Sequence, residues 1–154
     1  MIDFNVISEI VESTLKSGIE ELCHSIFKEK PEFHHDDDLD ETYVIMKDTG
    51  VSILYDEDGI FECLFFHFEG DSDTKACQLE VVYLNQFSSP CKVKETLVAA
   101  NYNYIKEIMM SAGEYLKVKS ALVFVKNKTY FNAEFNEDNR LSLLSVMSEK
   151  SFPG

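Results

Sequence analysis

His34-His35-Asp36-Asp37-Asp38 places imidazoles beside carboxylates, the ligand types of zinc, iron or manganese. Five consecutive loop residues point in different directions, however, whereas a metal needs side chains that converge. The run therefore reads first as a solvated acidic loop, then as a protein-contact surface, and last as a metal site. Asp56-Glu57-Asp58-Gly59 resembles the opening of a calcium loop. An EF-hand needs a bidentate Glu at its twelfth position and a helix on each side. Counted from Asp56, the twelfth residue is His67, and the flanks read as strands, so a hairpin turn is the better reading. Asp71-Ser72-Asp73 is likewise read as a loop. For nucleophilic chemistry there is no G-x-S-x-G elbow. Cys23 adjoins His24, but neighbouring residues of a helix point apart and make no dyad. His67 alternates with apolar neighbours and is expected to take a hydrogen bond rather than act as a base. The six glycines are scattered and make no phosphate cradle. No catalytic residue, metal or cofactor is expected.

The charge is more informative. The 154 residues hold 14 Lys+Arg against 28 Asp+Glu, a net charge of −14 with His neutral, and Arg140 is the only arginine. A phosphate backbone needs a basic face, so a nucleic-acid partner is not expected, and an anionic membrane would repel the chain. A basic protein would be drawn to it. The start, MIDFNVISEIVES, has no cationic stretch and no small-residue cleavage site, and no apolar run reaches the length that spans a bilayer. The four cysteines are far apart, with no CxxC pair, and read as reduced thiols of a cytoplasmic protein.

Elements to position these residues can be traced along the chain. Ile7, Val11, Leu15, Ile19, Leu22 and Ile26 recur at helical spacing, predicting an N-terminal helix that stops before Pro31, with Gly18 a point of bending or a short break. The acidic stretch 32–41 is expected to be loop. Strands are predicted at 43–47, 51–55, 60–68 and 78–84, the first three separated by Asp48-Thr49-Gly50 and Asp56-Glu57-Asp58-Gly59. Ser88-Ser89-Pro90 reads as a capped helix start. Helix is predicted over 91–100 and again over 104–110, where Ile105, Ile108 and Met109 give an apolar face that Gly113 should end. Strands at 118–125, 129–135 and 141–147 close the chain. With no repeat and no linker, the expectation is one α+β domain over residues 1–154. It would hold a single antiparallel sheet of about six strands, with the N-terminal helix and a central helical segment on one face. The aromatics Tyr102, Tyr104, Tyr115, Tyr130, Phe131 and Phe135 are assigned mainly to the core.

The stretch from Gly50 to Gly70 has a distinctive order. A strand follows a glycine and runs to an Asp/Gly turn; an aliphatic-aromatic strand and a Gly-containing loop come next. This resembles the small immunity proteins of bacterial polymorphic toxin systems, including contact-dependent growth inhibition. The helix start at Ser88-Ser89-Pro90 is similar to the family's next helix. Phe131-Asn132-Ala133-Glu134-Phe135-Asn136 leading into Leu141-Ser142-Leu143-Leu144 is similar to its closing hairpin. The resemblance implies a single-domain, non-enzymatic cytoplasmic protein, monomeric when free, that neutralises one cognate toxin in a 1:1 complex. Many such toxins are nucleases, whose cationic active sites an acidic protein can cover. The expected contacts are Asp36, Asp37, Asp38, Asp40 and Glu41, with Asp56, Glu57 and Asp58 as a second patch and Glu69, Asp71 and Asp73 as a third. Two other readings stand beside this one: an acidic secretion chaperone that binds an extended effector segment and dimerises, and a metal-dependent hydrolase built on His34, His35 and nearby carboxylates.

Overall fold

In a computed structural model that describes residues 1–109 and 118–149, the chain is α+β. Two helices, α1 (Phe4–Val11) and α2 (Ile19–Phe27), precede a four-stranded meander of β1 (Glu32–Asp36), β2 (Glu41–Met46), β3 (Val51–Tyr55) and β4 (Phe61–His67). A third helix, α3 (Pro90–Ala99), precedes a second meander of β5 (Asn103–Met109), β6 (Val118–Lys126), β7 (Thr129–Asn136) and β8 (Leu141–Ser148). The last strand of each meander pairs with the other, giving one antiparallel sheet in the order β1-β2-β3-β4-β8-β7-β6-β5. The arrangement of helix followed by meander thus occurs twice, without a repeat in the sequence to mark it.

The sheet has eight strands rather than about six, because two segments expected to be otherwise are strands. The acidic stretch begins as β1, held to β2 from Glu32↔Ile45 to Asp36↔Glu41. Lys47 relieves charge repulsion there by pairing with Glu32 at 3.7 Å, and the His34 ring lies 3.5 Å from the same carboxylate. The segment expected to continue as helix over 104–110 is β5. Asn101 (φ +68°) turns the chain out of α3, and Tyr104 and Ile108 are better suited to a ladder with β6, opposite Phe124 and Ala121, than to a helix of two turns. The expected stop at Gly113 and Tyr115 lie outside the described residues. Conversely, residues 78–84 form no strand. Val82 and Tyr83 take φ of +46° and +69°, which folds the segment into a tight turn that buries Val81, Val82 and Leu84 while Ile2 bridges to Val81.

The N-terminal helix is two helices. Asp3 caps α1 by accepting from the Val6 N–H at 2.9 Å. The chain then leaves the helix so that Leu15 N–H can bond Gly59 O at 2.9 Å, and Gly18 (φ +74°) starts α2. Ser89 caps α3 from the Lys92 N–H, with Pro90 at the first helical position, where its missing N–H costs nothing. All three helices pack on one face of the sheet. Ile7, Ile10, Ile19, Cys23, Phe27, Val93 and Leu97 share a core with Val44, Ile53, Leu64, Phe66, Phe124, Phe131, Phe135 and Val146. No helix among the described residues is long and apolar enough to cross a membrane. Burial pushes the Cys23 thiol up to about 12 and raises Cys63 and Cys77 too, which suppresses thiolate chemistry at all three; Cys91 is exposed.

Candidate functional site

An antiparallel meander returns alternate turns to the same end. The β1–β2 turn and the β3–β4 turn therefore share one end of the sheet, and the loop after β4 lies at the other, roughly 20 Å away at about 3.3 Å per strand residue. The expected acidic contacts thus divide into a pair of neighbouring patches and one remote patch. Asp37, Asp38, Asp40, Glu57 and Asp58 are exposed at the first end. Glu41 is half-buried at the start of β2. Glu69 and Asp73 are exposed at the far end, where Glu69 accepts from the Asn136 amide.

Three of the eleven carboxylates build turns. Asp36 Oδ1 accepts from the N–H groups of Asp38 (2.9 Å) and Leu39 (3.2 Å). Asp56 Oδ1 does the same for Asp58 and Ile60 (both 2.9 Å), and Asp71 Oδ1 for Asp73 (2.8 Å) and Thr74 (2.7 Å). This is the local side-chain-to-backbone bonding that suits Asp to turns. Asp56, expected among the contacts, is only 4% exposed and shapes the turn that presents Glu57 and Asp58. His34 and His35 alternate along β1, so they project to opposite faces and cannot converge on one ion. His34 pairs with Glu32, while His35 meets Asp40 at 3.2 Å and Thr42 at 3.0 Å. No group of three or more His, Cys, Asp or Glu suited to a metal is found among the described residues.

The far end holds a feature that the residue types alone do not reveal. On the face away from the helices, the hairpin register sets Ser52 opposite Phe65, with His67 two residues further along β4. Ser52 Oγ lies 2.8 Å from His67 Nε2, and Asp71 Oδ2 lies 3.4 Å from His67 Nδ1. The Phe65 and His67 rings are nearly parallel, at 24° and 5.8 Å between centroids. Beside them is a cavity of about 210 Å³, lined by the two rings and Ser52 together with His34, Tyr43, Ile45, Asp71, Asp73 and Thr74. Burial lowers the His67 pKa, against the upward pull of Asp71 and Asp73. The ring, held neutral by burial, shares a hydrogen bond with the Ser52 hydroxyl through Nε2, while the Asp71 carboxylate faces Nδ1. Burial works to raise Asp71, but the Asp73 N–H, His67, and the Thr74 hydroxyl and N–H outweigh it, so its carboxyl stays below the usual range.

Serine, histidine and aspartate occur here in the order of nucleophile, base and orienting acid. Ser52 is 6% exposed, and β3 is paired on both sides, so its backbone N–H groups serve the ladders rather than a developing oxyanion. The three side chains form one wall of the cavity. One hint is visible in the residues: Ser52 is the small polar residue of β3, and His67, with Glu62, one of two polar residues of β4. Their meeting depends on the cross-strand register.

The same face continues across the sheet. From Ser52 the register runs through Phe65, Ser145 and Asn132 to Val123. Asn132 Oδ1 is the one buried side-chain polar atom without a hydrogen-bond partner among the described residues. On β7, Glu134 points to this face too, and burial raises its carboxyl above the ordinary 4.5. For a carboxyl raised by folding, the stabilising contribution is complete below 4.5 and is lost as pH rises through the folded value. Glu134→Gln is therefore expected to raise Tm at pH 7 by a few degrees and to leave it unchanged near pH 4. Thermal unfolding at the two pH values checks this; an equal effect at both would remove the charge as the cause.

No family model matches the chain, and neither a curated protein nor a solved structure matches it.

Proposed function

We propose that the protein is an immunity protein, acting in the cytoplasm as a monomer that binds and neutralises one cationic toxin domain, a nuclease by preference. The observation that carries this reading is the end of the sheet where Asp37, Asp38, Asp40, Glu57 and Asp58 stand exposed on two adjacent turns. Among the described residues, no lysine or arginine lies within ion-pair distance of any of the five; only His35 approaches Asp37 and Asp40. Elsewhere lysines do pair, as Lys47 with Glu32 and Lys75 with Asp48. Uncompensated carboxylates on rigid turns cost the fold little and raise the encounter rate with a cationic surface. A nuclease must keep such a surface to hold a phosphodiester, so covering it blocks substrate without any reaction by the inhibitor.

The test is association with a basic toxin domain, sought first in the open reading frame next to this gene, measured by stopped flow across a salt series. Neutralising the five turn carboxylates together (Asp to Asn, Glu to Gln) is expected to slow association about tenfold to a hundredfold at low salt and to flatten its salt dependence. An unchanged rate and an unchanged salt slope would overturn the reading.

A second reading, the acidic chaperone for an extended effector segment, has one observation in its favour. β5 lies at the sheet margin with all seven of its residues exposed, Tyr104, Ile105, Ile108 and Met109 among them. An extended peptide can add to such a margin as a further strand. A stable dimer by light scattering, together with protection of β5 amides by a neighbouring effector, would favour this reading over immunity.

A further inference from the structure

We propose that the cavity beside His67 is a socket for one arginine side chain of the protein partner, stacked on the Phe65–His67 wall and paired with Asp71 and Asp73. This deepens the immunity reading and rests on its premise of a basic protein partner.

Shape, wall chemistry and charge agree on this occupant. A space of about 210 Å³ equals about seven waters at roughly 30 Å³ each, enough for the end of a long side chain and too little for a folded element. Phe65 and His67 line the cavity as a stacked pair, and a planar guanidinium can extend such a stack where an ammonium only points at it. The lining is anionic and has acceptors to spare. Asp71 Oδ1 is filled by three donors from Asp73 and Thr74, which leaves Oδ2 with His67 alone. Among the described residues no donor lies within hydrogen-bond distance of the Asp73 carboxylate. Lys47 and Lys75 share a second, shallower depression with Asp73 and Thr74, and are paired there with Glu32 and Asp48. A neutral His67 presents no opposing charge. The loop is also set before any partner arrives, since Lys75 N–H bonds Lys47 O at 2.7 Å and Cys77 N–H bonds His67 O at 2.8 Å. A socket that needs no ordering loses little affinity to entropy, and a buried arginine anchor is a common centre of binding energy.

The probe is the tripeptide acetyl-Gly-Arg-Gly-amide, titrated into the isotopically labelled full chain and followed by amide NMR shifts. Its isostere, acetyl-Gly-citrulline-Gly-amide, keeps the shape and removes the charge. Saturable shifts are expected at Ser52, Phe65, His67 and residues 71–74, with the citrulline peptide at least about fivefold weaker. Asp73→Asn and Phe65→Leu should each weaken the arginine peptide about threefold to tenfold, while their spectra elsewhere show an intact fold. Should Phe65→Leu unfold, Asp73→Asn decides, because Asp73 contributes only its backbone to the loop. Shifts centred on residues 37–40 and 57–58 instead, or equal binding of citrulline, would overturn the socket. The two proposals fail separately. A neighbouring toxin domain that depends on the five turn carboxylates but ignores Phe65→Leu removes the socket and keeps the immunity reading. A peptide that seats here while that toxin domain fails to bind removes the immunity reading and keeps the socket.

Discussion

Gly50→Ala is expected to destabilise the protein by about 3 kcal/mol or more, lowering Tm by roughly 6–12 °C for a chain of this size. Gly50 has φ +82°, where an L side chain costs roughly 1–2 kcal/mol from its own backbone. A Cβ there would also stand 2.5 Å from Lys75 O and 2.6 Å from Cys77 N. Both are backbone atoms, fixed by the bonds of that loop to Lys47 and His67, so the strain is not relieved by a rotamer change. Because Gly50 O also accepts from the His67 N–H, the damage reaches the cavity wall, and a surviving variant should bind the arginine peptide poorly. Gly18→Ala is the control. Its φ is a similar +74°, but the nearest atom to the new methyl is a flexible Glu21 oxygen at 3.5 Å, so a loss of about 1 kcal/mol is expected. Urea and thermal unfolding by circular dichroism measure both. Equal losses at the two sites would mean that the close approach at Gly50 carries no energy.

Phe131→Ala is expected to cost about 3–5 kcal/mol, within the range for removing a buried aromatic. Phe131 is fully buried on β7, and its ring meets Tyr102 edge-on at 4.8 Å and Phe4 at 6.1 Å. Phe4 and Tyr102 stack on each other at 5.6 Å. These three rings tie the first turn of α1 to the link between α3 and β5, and so join the first and second halves of the chain on the helix side. Phe131→Leu, which keeps most of the volume, should cost about 1 kcal/mol. Chemical denaturation gives the two values, and the near-ultraviolet signal of the Tyr102 environment should fall with alanine alone. Similar losses for alanine and leucine would count against the ring cluster as the joint between the halves.

Elements whose signals are local could be read from the sequence. β3 occupies residues 51–55 as expected, because a glycine turn and an Asp/Gly turn bound an apolar run. The cap and proline at Ser89-Pro90 place α3, and Asn127-Lys128 and residues 136–139 place the closing hairpins, since these turns need residues that tolerate left-handed backbone. Elements decided by distant partners could not be read this way. β1 is acidic enough for a solvated loop and becomes a strand because β2 offers a ladder in register. The break between α1 and α2 depends on the Leu15 bond to Gly59. β5 carries apolar residues at helical spacing, yet it pairs with β6, and residue 105 is bulged between the paired Tyr104 and Lys106. For the site, acidity was visible and arrangement was not. Asp56 and Asp71 look like their neighbours in sequence, and only their hydrogen bonds show that they shape turns. Ser52 and Phe65 carry no signal until the register sets them opposite one another.

The two outer strands bear on how copies of this chain meet. Along β1 a second β1 would bring Glu32 and Asp36 against carboxylates of the same kind, so that margin repels its own copy. β5 has no run of like charge: between Ile105 and Ile108 stand Lys106 and Glu107, of opposite sign, which a second β5 could pair. Joining two copies through β5 uses up the one receptive margin on each and leaves both outer rims self-repelling. Association by this route therefore closes at a pair with twofold symmetry and does not propagate into a fibre.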